Sequence, residues 1–133
     1  MYFITNRQME SRRRGFNKFS KHPNQLGPNE LTAVEVTGVS KPSIDILADQ
    51  VPTKEVTKLK NKFKLDINDA DPHYVPLKIA CDTFAEARKS CKNILIFVHG
   101  YNNDVKDVYD TARELERLYN LIVIPFTLSL IHI

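Results

Sequence analysis

The sequence has no tryptophan, two cysteines and four glycines among 133 residues, and no apolar run long enough to span a membrane. Each shortage removes a class of protein. Cys81 and Cys91 stand apart without a CxxC pair, so a disulfide framework or a zinc site has no basis, and both are expected as reduced thiols buried in a helix. Four glycines and seven prolines at no fixed period exclude collagen and low-complexity chains. The opening Met1–Arg7 is too short and polar for a secretory apolar region, from which a cytoplasmic location is expected. What is present, 42% hydrophobic and 26% charged residues, is ordinary for a small globular domain, and this length can bury a core without disulfides or metal.

The net charge of +3 is unevenly spread. Residues 1–30 hold 6 Lys and Arg against 2 acids, whereas residues 31–70 and 71–133 are close to balance. The excess centres on Arg12-Arg13-Arg14, flanked by Arg7, Lys18 and Lys21 with Phe16 and Phe19 between them. Such interleaving can contact phosphates and bases. Gly15, Pro23, Gly27 and Pro28 break the stretch and no recognition helix accompanies it, so a solvated basic loop is the favoured reading and a nucleic-acid partner is not expected.

Strands are expected at Tyr2–Asn6, Leu31–Val39 and Ile44–Leu47, with a polar loop between the first two. Pro52 and the lysine-rich stretch 54–64 make a poorly determined region, where alternating Phe63, Leu65 and Ile67 predict an extended element, and 68–72 a loop. The pattern sharpens from Leu77 onward. Leu77, Ala80, Cys81, Phe84, Ala87 and Cys91 make one helical stripe ending near Lys92. Ile94–Val98 is a run of five apolar residues, the mark of a strand covered on both faces. A turn at 99–103 follows, with Asn102 or Asn103 able to cap a helix whose buried face is Val105, Val108, Tyr109, Ala112, Leu115 and Leu118. Asn120 then suits the left-handed position past a helix end, and Leu121–Phe126 is a second apolar strand. Residues 93–126 therefore read as a right-handed βαβ unit, with the turn on the carboxyl edge where open α/β sheets hold ligands.

In that turn, Gly100 permits a sharp reversal, and the amides after it can face a developing negative charge or a phosphate. A Walker loop is excluded because no Gly-Lys-Ser/Thr follows, and a dinucleotide fingerprint because Gly100 has no partner glycine. His22, His73, His99 and His132 lack paired ligand spacing, so neither metal nor cofactor is expected. Asp104 and Asp107 read as first-turn acids of the helix.

The segment Ile94-Leu-Ile-Phe-Val-His-Gly-Tyr-Asn-Asn103, followed by a helix and Val123-Ile-Pro-Phe-Thr127, resembles the α/β-hydrolase superfamily, closest to its bacterial esterase/lipase-like branch. Tyr2-Phe-Ile-Thr-Asn-Arg7 and the stretch from Gly27 to Gly38 are similar to the same branch, so the resemblance covers most of residues 1–127. It implies a three-layer α/β fold with a mostly parallel sheet and flanking helices. It also implies that the backbone N–H of Tyr101 donates to an oxyanion, with His99, Gly100 and Asn102 shaping the loop. His99 is then a turn residue and not the triad base.

The nucleophile such a fold needs sits in a Gly-x-Ser-x-Gly elbow, and the 133 residues contain none. Gly38-Val-Ser-Lys-Pro42 is the nearest match; it lacks the last glycine, precedes the His-Gly strand, and reads as an ordinary turn. The triad acid and histidine follow the serine in chain order, so no complete triad can be drawn. Where the family continues with an aromatic and a proline, this chain reads Leu128-Ser-Leu-Ile-His-Ile133, similar to a translated transposase-type sequencing adaptor. Residues 1–127 are therefore expected to be the N-terminal part of one hydrolase domain, with 128–133 a non-native tail. The expected function is that of an inactive fragment of a serine hydrolase acting on an ester-type small molecule. The alternatives are a binding module that uses residues 7–21 to hold an anionic partner, and an α/β domain that has lost catalysis. The fragment reading also predicts an exposed apolar sheet edge.

Overall fold

The computed structural model describes residues 1–27, 29–47, 53–64, 74–99 and 103–129. Strands β1 (Tyr2–Thr5), β2 (Arg7–Met9) and β3 (Phe19–Pro23) are followed by β4 (Thr32–Thr37) and β5 (Ser43–Ile46). Helices α1 (Thr53–Phe63) and α2 (Tyr74–Ser90), strand β6 (Asn93–Val98), helix α3 (Val105–Tyr119) and strand β7 (Leu121–Thr127) complete the order. Five strands form one mixed sheet in the order β5-β4-β1-β7-β6, and β2 and β3 form a separate pair.

The βαβ unit has the expected pairing: β6 runs parallel to β7 from Asn93 opposite Leu121 to Val98 opposite Phe126. Strand β1 adds in parallel on the other side of β7, with Ile4 opposite Phe126. The sheet is nevertheless mixed and not mostly parallel, because β1–β4 and β4–β5 are antiparallel. The short turn from β4 to β5 leaves no room for the crossover that a parallel pair needs. Gly38 takes φ +88° in that turn, and a Cβ there would stand 3.3 Å from the Lys41 carbonyl oxygen. The expected turn at Gly38–Pro42 is thus what the chain makes.

Alternation along the strands sends side chains to two faces. Phe3, Val34, Val36 and Ile44 meet Val105, Val108 and Tyr109 of α3 in the main core. Ile4, Ala33, Ile94 and Ile124 point to the opposite face, beneath Val75 and Ile79 of α2. Helices therefore flank the sheet on both sides, with α1 packed against α2.

Several expectations are corrected by tertiary packing. The polar loop after β1 contains β2, β3 and a 3-10 turn at Gly15–Lys18. Its two phenylalanines are drawn into the core: Phe16 lies 5.2 Å from the Tyr109 ring and Phe19 6.1 Å from Phe3. The lysine-rich stretch, undetermined from sequence, is helix α1, which takes in Phe63 in place of the expected extended element: Val56 and Leu59 are buried on one face with Phe63 a turn further on. Leu65, Ile67 and the expected loop at 68–72 lie outside the described residues. On α2 the buried face is Val75, Ile79, Thr83 and Ala87, while Phe84 is 61% exposed. Cys91 is exposed beyond the helix end and Cys81 is half-buried; both are free. The N-cap of α3 is Asp104, not Asn102 or Asn103, and Leu118 is exposed. Asn120 is left-handed at φ 53°, as expected. Strand β6 is a sheet edge and is not covered on both faces: Ile96 is 63% and Val98 57% exposed. No helix among the described residues is long and apolar enough to cross a membrane.

Candidate functional site at the carboxyl edge of the sheet

Parallel β1, β7 and β6 end together, which gathers distant residues at one edge. Thr5 and Thr127, directly paired across β1 and β7, are wholly buried there. The Thr5 hydroxyl donates to the Thr127 carbonyl at 2.9 Å and accepts from the Thr127 hydroxyl at 2.8 Å. Its oxygen also accepts the Arg7 amide at 3.0 Å. One hydroxyl thus satisfies three polar groups that burial would otherwise leave without water.

The chain then enters the turn. His99 follows β6, and its Nε2 accepts the Leu128 amide at 2.8 Å. Asn6 accepts the Ser129 amide through Oδ1 at 2.7 Å. Both bonds use main-chain donors of 128 and 129, so they do not depend on the side chains at those positions. Gly100, Tyr101 and Asn102 lie outside the described residues, and His132 does too. The far end of the turn is held by Arg7, whose guanidinium donates to the carbonyls of Ser20 at 3.3 Å and Asn103 at 3.4 Å.

Arg7 is the unexpected member of the cluster. It is 3% exposed, and its Nε has no partner among the described residues. Burial lowers its pKa, and the charge of Asp104 partly opposes that. The sequence groups Arg7 with a basic loop broken by Gly15, Pro23, Gly27 and Pro28, whereas the fold buries it. Part of that loop is likewise drawn into the fold, whereas Arg12, Arg13, Arg14 and Lys21 are exposed, as a solvated basic loop predicts. Phe19 is buried in the core and half-buried Phe16 packs against it, Lys18 Nζ donates to the Ile44 carbonyl at 2.8 Å, and Arg13 pairs with Glu10 at 2.8 Å. The two rings are turned toward the core, and Arg12, Arg14 and Lys21 are left as surface cations.

Other chemistry-bearing groups stand apart from this edge. Tyr109 donates its hydroxyl to the Gly38 carbonyl at 2.9 Å, which fixes the Gly38–Pro42 turn against α3. Burial pushes the Cys81 thiol up, with Asp82 adding to the effect, so it is not primed as a thiolate nucleophile. Among the described residues, no three of His, Cys, Asp and Glu come together as a metal site. The chain matches no family model, no curated protein and no solved structure.

Proposed function

We propose that the chain carries the oxyanion half of a serine hydrolase of the α/β-hydrolase kind, acting on an ester-type small molecule. The observation that carries the reading is the junction of β6, His99 and β7. A strand ends in His-Gly, a helix returns the chain, and a parallel strand lies beside the first, with His99 tied across the strand ends to the Leu128 amide. That bond occupies Nε2, the nitrogen a triad base would turn to a serine, so His99 serves to hold the turn. Tyr101 N–H is the oxyanion donor in this reading, and Gly100 and Asn102 shape its loop. Arg7 fixes the loop's far end through Asn103, a role the sequence did not disclose. Preorganised donors of this type are typically worth about 10²–10³ in turnover.

The reading assigns no nucleophile within residues 1–127. A fluorophosphonate probe should leave all serines of the 133-residue chain unlabelled. The DNA that follows the Thr127 codon in the source genome should encode a Gly-x-Ser-x-Gly elbow, and a chain extended through it should label at that serine. Labelling of Ser40, or a downstream frame without the elbow, contradicts the proposal.

A further inference from the structure

The sheet face beneath α2 carries an open groove of about 770 Å³. Its floor runs from Ala33 of β4 and Ile4 of β1 through Ile124 of β7 to Ile96 of the edge strand β6, and Ile79 and Phe84 of α2 form its roof. The groove is in the size range of small-molecule sites, and apolar side chains dominate its lining. Asn29 and Glu30, both exposed, stand where the chain enters β4, at the end of the groove under the carboxyl edge.

We infer that this groove binds a linear alkyl chain bearing an uncharged or cationic head group. The chain lies along the apolar floor, and the head meets Asn29 and Glu30. The Glu30 carboxylate repels an anionic head and attracts a cationic one, which selects alcohols and amines over fatty acids. A second copy of the protein competes for this face, because Ile96 of the edge strand β6 is part of the floor, and sedimentation tells the two occupants apart. The inference stands apart from the proposed hydrolase chemistry, since it needs neither the turn at 99–103 nor a nucleophile.

The test uses the 133-residue chain with Nile red, a neutral apolar dye, and three ten-carbon competitors at pH 8. Decanol and decylammonium should displace the dye at concentrations at least about tenfold below decanoate, the ratio expected of one modest charge interaction. Glu30→Lys, a surface change, should bring decanoate to the level of decylammonium or below it. Ala80→Trp, which stands an indole in the groove, should abolish dye binding while circular dichroism stays unchanged. Equal competition by all three compounds, an unaltered order in Glu30→Lys, or dye binding that follows the population of a dimer in sedimentation overturns the inference. Should Ala80→Trp not fold, the Glu30→Lys order decides alone.

Discussion

At the scale of single residues, the Thr5 hydroxyl is the group on which the carboxyl edge turns. It accepts from Arg7 N–H and Thr127 O–H and donates to the Thr127 carbonyl. Thr5→Val keeps the shape and strands two buried donors, so it should cost about 1–3 kcal/mol in urea unfolding. Thr127→Val removes one donor and leaves the Thr5 oxygen with its Arg7 partner, so its cost should be smaller. The reverse order would show that the network is not assembled as described. Tyr2 offers a second check. Burial, and a hydrogen bond to Asp82 at 2.9 Å, push its pKa from 10 to about 12. Because folding raises the pKa, this contribution to stability is whole below pH 10 and is lost as pH climbs through 12. Tyrosinate absorbance should show one step near pH 12 that Tyr2→Phe removes; a titration unchanged by that substitution would contradict the contact.

At the scale of elements, β6 and β7 show what a sequence discloses and what it hides. Both strands, α3 and its left-handed Asn120 were legible because each signal is local: an apolar run, a 3.6-residue period, and one residue type suited to positive φ. The β2–β3 pair was not legible. Its charged residues dominate the local pattern, and the pull on Phe16 and Phe19 comes from Tyr109 and Phe3, far off in sequence. The apolar stripe of α2 misled for a related reason. Several registers on a helix of this composition are apolar, and the sheet selected the one through Ile79 and Thr83, leaving Phe84 in water. Strand β6 is apolar, at the edge and free of charge from Asn93 to Val98, a combination that templates strand addition. Ile96→Lys should suppress concentration-dependent association in sedimentation while changing unfolding free energy by less than about 1 kcal/mol. Association that is indifferent to this substitution would place the sticky surface elsewhere.

At the scale of the whole molecule, the mixed sheet brings residues 5 and 127 into contact and gathers Asn6, Arg7, His99 and Asn103 around them. The candidate site was half legible for that reason. His99 was visible as the end of a strand, whereas Thr5, Arg7 and Thr127 acquire meaning only through the β1–β7 pairing, which no local pattern encodes. The basic N-terminal segment changes character at this scale too. Arg7, Lys18 and its two rings engage the fold, while Arg12, Arg13, Arg14 and Lys21 stay exposed. What the assembly offers is two anchored residues, His99 tied to one strand end and Asn103 to a buried guanidinium.

The central claim is that the backbone N–H of Tyr101 stabilises an oxyanion. It is tested most directly in an elbow-bearing chain, by replacing the amide at Tyr101 with an ester, which deletes the hydrogen and preserves the loop. The account predicts a fall in kcat of about 10²–10³ with KM little changed, because the bond forms only as charge develops. Turnover equal to that of the all-amide chain would contradict it.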